Sequence, residues 1–129
     1  MMVSHCHCHS CRKHNGAAMV TLAGFTAEQV EFRGTARKIY TSSPGVGRAF
    51  CPECGTPLTW EGDGGEVGPI FELHISTFDE PDALVPTCHA FYPERIAWFD
   101  TVDQLPRYQG FPEESPILRH TPAEEGTPT

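Results

Sequence analysis

Five cysteines stand in two short clusters, Cys6-His-Cys8-His-Ser-Cys11 and Cys51-Pro-Glu-Cys54-Gly, and they constrain the fold more than any other feature. Closely spaced thiols converge on one point only where the chain bends tightly, and Pro52 and Gly55 favour such a bend around Cys51 and Cys54. The second cluster therefore reads as a zinc knuckle. In the first, period-two alternation puts Cys6 and Cys8 on one face of an extended segment, and a turn can bring Cys11 back to join them. His5, His7 and His9 then face the other way, where they could act as accessory groups. Three sulfurs on Zn²⁺ leave a fourth position for water or substrate, as in catalytic sites, whereas four close the site, as in structural ones.

Thiols that merely pack, or a disulfide framework, would give the same count of cysteines. Disulfides fit poorly. The start, Met1-Met2-Val3-Ser4-His5, is polar and has no apolar stretch of a secretory signal. A reducing cytoplasm is expected, and there such spacing means metal binding or redox chemistry. Cys88, isolated at Thr87-Cys88-His89, reads as a packed residue.

At 129 residues the chain is expected to form one folded unit, burying about two-thirds of its unfolded surface. Twelve glycines, twelve prolines and no long 3.6-residue period predict short strands joined by turns. Strands are expected at 18–23, 30–32, 37–41, 47–50, 58–60, 70–75 and 87–92, with helical turns near 26–29 and 79–82. No run is long enough for a transmembrane helix. Seventeen acidic against nine basic residues give a formal net charge of −8, which leaves no basic face for a phosphate backbone and argues against nucleic acid as a partner. From Phe111 the composition turns to Pro, Glu, Thr and Ser, so 1–110 is read as the domain and 111–129 as a mobile tail.

Longer motifs carry a resemblance. His5-Cys-His-Cys-His-Ser-Cys-Arg-Lys13 with Gly16, then Ser42-Ser-Pro-Gly-Val-Gly-Arg-Ala-Phe-Cys-Pro-Glu-Cys-Gly-Thr-Pro-Leu58, are similar to the glutathione-dependent formaldehyde-activating enzyme family. Asp79-Glu-Pro81, His89, Trp98 and Leu105-Pro-Arg-Tyr108 extend the likeness, which spans roughly residues 3–110. The resemblance implies a mainly β protein with the β-tent fold of small antiparallel sheets, shared with the centromere protein V group, and few short helices.

It also implies a catalytic zinc on Cys6, Cys8 and Cys11, and half of a structural zinc on Cys51 and Cys54. In the family the other half comes from a Cys-x-Cys hairpin upstream. This sequence does not contain that hairpin, so a late-assigned start or a truncated form is expected. Cys88, a histidine or a neighbouring chain could complete the pair. The implied chemistry joins glutathione, or a similar thiol, to formaldehyde as S-hydroxymethylglutathione, or reverses that step, which is a carbon–sulfur lyase type of reaction. Lys13 and Arg48, with Arg12, could hold a glutathione carboxylate or offset thiolate charge. Taken singly, each reads first as an ordinary solvated basic side chain.

Two competing arrangements follow. Spacing by itself favours one closed zinc ribbon of Cys8, Cys11, Cys51 and Cys54, which would make the chain a binding or structural module. The resemblance favours the open three-cysteine site, with the two knuckle cysteines at a separate point.

Overall fold

The computed structural model describes residues 2–117. Its strands are β1 (Met2–Cys6), β2 (Val20–Thr26), β3 (Lys38–Ser43), β4 (Val46–Phe50), β5 (Pro57–Asp63), β6 (Pro69–His74) and β7 (Cys88–Ala90). They join into one sheet in the order β3-β4-β5-β6-β2-β1-β7. The single α-helix among the described residues, α1 (His9–Asn15), has seven residues, and five 3-10 turns make up the other helical pieces. The mainly β expectation holds, with the strands in one continuous sheet. All pairings are antiparallel except β1 with β7, which is parallel. No described helix is long and apolar enough to cross a membrane.

Several expected elements fall in place within a residue or two, among them the strand now seen as β6 and the turn at Pro81–Ala83. Three differences matter. The strand expected first is preceded by β1, whose half-buried His5 and buried Val3, Ser4 and Cys6 show a strand covered on both sides. Residues 30–32 form no strand. Instead Phe32 meets Phe71 edge-on at 5.4 Å, and the Arg37 guanidinium lies 3.8 Å above the Phe32 ring, so the chain folds back over the sheet by aromatic contact. Arg37 is in turn held by Glu61 at 2.7 and 2.9 Å.

The third difference is the tail. Phe111 packs against both core clusters, Pro112 is buried, and Ile117 is only 7% exposed among Val46, Trp60 and Ile70. The folded unit thus continues past residue 110, because these apolar side chains recover enough contact to order a Pro- and Glu-rich stretch. The remainder of the expected tail, from residue 118 on, lies outside the described residues.

Register decides which side chains meet. Cys6 pairs with Val20, Ser4 with Leu22, and Leu22 with His74, and directly paired residues point to the same face. Continuing across the sheet, Glu72 pairs with Trp60 and Trp60 with Arg48. Cys6, Val20, Leu22, His74 and Arg48 therefore share one face. On the other lie His5, its partner Thr21, and His89, which pairs with His5 in β7.

The core has two parts. Cys6, Cys8, Cys11, Val20, Leu22, Ala90 and Phe91 form one cluster, and Val46, Trp60, Ile70 and Ile117 the other, with Phe111 touching both. Burying a side chain such as Leu22 contributes about 1.5–3 kcal/mol. The thiols of the first motif are thus part of the hydrophobic core.

Candidate metal centre

The first cysteine motif spans the end of a strand and the start of a helix. Cys6 closes β1, and Cys8 is the N-cap of α1, its sulfur accepting from the Cys11 N–H at 3.3 Å. The helix then carries Cys11 back over the strand end. Gly16, at φ 61°, ends the helix in the left-handed region that favours glycine, and its N–H bonds the Arg12 carbonyl. Helix and strand are held together from outside the motif. The Arg12 guanidinium donates to the His7 carbonyl at 3.0 Å and to the Glu94 carbonyl at 2.9 Å, while His9 meets the Glu94 carboxylate at 2.7 Å.

This geometry gathers Cys6, Cys8 and Cys11, all buried, with their sulfurs within 4.8 Å of one another. Three soft donors in a closed core are a set that could hold a metal ion. The sulfurs also lie within hydrogen-bonding reach of each other. Cys6 donates to Cys11 at 3.6 Å. Hydrogen bonds with Cys6 and Cys8 hold the Cys11 thiol well below its ordinary pKa against the effect of burial, and Arg48 reinforces the shift. The Cys6 thiol is correspondingly pushed up, chiefly by its bond to Cys11, and so is that of Cys8. The three thiols thus titrate as a set, and Arg48 favours the charged form at Cys11.

Arg48 supplies the counter-charge. It is 5% exposed, and its Nη1 donates to the Cys11 sulfur at 3.5 Å while Nε donates to Ser42 at 3.2 Å. Burial works against its charge, but the three thiols more than offset this and raise its pKa. Of the three cations singled out in the sequence, Arg48 therefore belongs to the centre. Lys13 is exposed on α1, and Arg12 is engaged with backbone carbonyls.

Cys51 and Cys54 lie elsewhere. They sit on the β4–β5 connection, Cys51 half-buried and Cys54 exposed. The knuckle turn is formed: the Gly55 N–H bonds the Cys51 carbonyl at 2.8 Å, the Cys51 N–H bonds the Thr56 carbonyl at 2.9 Å, and Gly55 takes φ 79°. Thr56, through its hydroxyl at 3.0 Å and its backbone, and Cys51 lower the Cys54 pKa. Among the described residues the pair joins no group of three or more donors, so the four-cysteine ribbon of Cys8, Cys11, Cys51 and Cys54 is not formed. Cys88 is buried in β7 and outside the three-sulfur group.

The histidines between the cysteines do face away. His7 is fully buried, and its Nε2 lies 2.8 Å from Nδ1 of equally buried His89, whose Nε2 is 3.0 Å from Asp103. The carboxylate can only accept, so His89 donates to it from Nε2, and one proton between His89 Nδ1 and His7 Nε2 joins the two rings. Hydrogen bonds from His89 and the Leu105 N–H hold Asp103 down to about 2 against desolvation, and Arg107 braces it at 3.0 Å. Burial, then the neighbouring His89, lowers the His7 pKa to about 4. This string stiffens the backbone between Cys6 and Cys8, and no spacing rule in the sequence exposes it.

Two further histidines border the sulfur face. His74, 6% exposed at the end of β6, is lowered to about 4, mainly by burial. His14 is also lowered, by burial and by Arg48. Beside them is a pocket of about 330 Å³ lined by Asn15, Met19, Thr21, Thr56, His74 and Thr77 among others. Asn15 ties it to the centre, because its amide donates to the Cys11 carbonyl at 2.7 Å. Phe91, at φ 53°, turns the chain out of β7 and packs against the cysteine cluster.

Compared with known protein families, residues 1–94 match the model described as glutathione-dependent formaldehyde-activating enzyme. A search of curated proteins finds no match to the chain.

Proposed function

The chain belongs to the glutathione-dependent formaldehyde-activating enzyme family, and from that premise we propose that it is a zinc-dependent enzyme of the carbon–sulfur lyase type. It joins glutathione or a related thiol to formaldehyde as the S-hydroxymethyl adduct, or reverses that step. The observation that carries this reading is the buried trio Cys6, Cys8 and Cys11, with three sulfurs and a buried cation but, among the described residues, no fourth protein donor in the group. Three protein ligands are the number found in catalytic zinc sites.

Zinc bound there supplies a thiol-deprotonating Lewis acid at neutral pH. The chain's own residues do the rest. Cys6, Cys8 and Cys11 hold the ion, and Arg48 offsets the net −1 that three thiolates give with Zn²⁺. The hydroxyl-lined pocket that includes Asn15 takes the peptide body of the thiol, and Lys13, exposed two residues before Asn15 on α1, is the candidate to meet a carboxylate. The phenylalanine and leucine side chains around the trio keep water from the sulfurs. Six free thiols suit a reducing compartment such as the cytoplasm.

The test is exchange between formaldehyde, glutathione and their adduct, followed by NMR at equilibrium. Zinc-loaded protein is expected to speed it above the buffer rate and Cys11→Ser to abolish the gain. No acceleration with zinc bound stoichiometrically would make the chain a zinc- or glutathione-binding module instead.

A further inference from the structure

His14 follows Cys11 by three residues in α1, so the two side chains lie on one face of the helix. Its Nε2 is buried and has no hydrogen-bond partner. Buried imidazole nitrogens are costly to leave unpaired, and one beside a reaction centre calls for a partner that the free protein does not contain. Burial and the charge of Arg48 lower its pKa while Cys11 raises it, so the ring lies within electrostatic reach of that pair. The other unpaired buried side-chain nitrogen among the described residues, Nδ1 of His7, belongs to a fully enclosed ring on the histidine side of β1.

We propose that the Nε2–H of His14 is the hydrogen-bond donor to the reacting oxygen, the carbonyl oxygen of the aldehyde and the hydroxyl oxygen of the adduct. His14 is then a catalytic residue of the centre. This rests on the thiol–aldehyde reading and deepens it. As the thiolate sulfur bonds to the aldehyde carbon, the C=O π pair moves onto oxygen. The Nε2–H bond strengthens as charge grows there. The proton lost by the thiol reaches that oxygen through solvent, giving R–S–CH₂–OH and an unchanged imidazole. A fixed donor at developing charge is among the strongest catalytic devices, and a neutral ring is sufficient for it.

Three zinc-loaded proteins test this: the unaltered chain, His14→Leu, which removes the donor, and His14→Gln, whose amide N–H can replace it. Exchange in His14→Leu is expected to slow about 100-fold, the loss typical of one such donor, with part of the rate regained in His14→Gln. Cobalt-substituted samples should show the same visible spectrum in all three. In the unaltered chain the ring ¹⁵N resonances should report a protonated Nε2 that shifts when S-hydroxymethylglutathione is added. A full rate in His14→Leu, or a glutamine variant no faster than leucine, overturns the proposal while leaving the thiol–aldehyde reading intact. An altered cobalt spectrum also overturns it, since His14 would then be a metal ligand. No acceleration by the unaltered chain defeats the parent reading and this one with it.

Discussion

The two cysteine clusters use the same residue at similar spacing and arrive at different chemistry. Cys6, Cys8 and Cys11 are enclosed by Val20, Leu22 and Phe91, bond to one another and share a buried guanidinium. Cys51 and Cys54 form an equally ordered turn, yet on the surface and without a third donor among the described residues. The difference shows that a Cys-x-x-Cys turn fixes only where two sulfurs point. What surrounds them decides whether the set is a complete site.

Removing one sulfur from each cluster should separate them most sharply. Cys11→Ser is expected to lower zinc affinity by more than the 10–100-fold that loss of an outer-shell partner typically costs, read as zinc retained after dialysis against a weak chelator. Cys54→Ser should leave the zinc of the trio in place. Equal losses from the two variants would mean that the clusters act as one site after all.

Next in size is the counter-charge. Arg48→Met leaves the Cys11 thiolate buried without its cation, and breaking a buried pair in this way costs about 3–5 kcal/mol. Urea denaturation of zinc-free protein should show a loss of that order, and alkylation of Cys11 should shift to higher pH. Full stability in Arg48→Met would show that the trio does not depend on this contact.

Acid should expose the same contrast between enclosed and open regions. His7 and His74 have folded pKa values lowered to about 4 from an ordinary value near 6.5. Their neutral forms thus favour folding, the stabilisation is complete above pH 6.5, and it is lost as pH falls through that value towards 4. At about 1.4 kcal/mol per pKa unit, each ring accounts for on the order of 3 kcal/mol. The melting temperature of zinc-free protein should fall across this window, and His74→Gln should flatten the decline.

The smallest effect belongs to the surface pair. Cys51 and Cys54 should be alkylated by iodoacetamide in native protein at pH 7.5, with Cys54 first and no change in melting temperature, while Cys6 and Cys8 stay protected. Mass spectrometry of the peptides reads the order directly. Early labelling of Cys8 would contradict its burial.

The motif Cys-His-Cys-His-Ser-Cys carries its own geometry, because alternation along an extended chain and one reversal are local properties. That is why the sequence alone allowed the convergence of Cys6, Cys8 and Cys11, which the family resemblance then favoured, and determined the opposite facing of His5 and His7, the knuckle turn at Gly55 and the mainly β class. Contacts distant in sequence were legible only in part. Arg48 was visible as a candidate cation, but its bond to Cys11 depends on a pairing path through Trp60, Glu72, His74 and Leu22 that runs from β4 to β1. The separation of the two clusters was foreseen through family resemblance, against what spacing suggested. The His7–His89–Asp103 string, the packing of Ile117 against Val46, Trp60 and Ile70 and the burial of the unpaired Nε2 of His14 were decided by tertiary structure, since each depends on residues whose meeting no local pattern encodes. Local chain geometry set where the sulfurs point, and the burial and charge that give them chemistry came only from the assembled sheet.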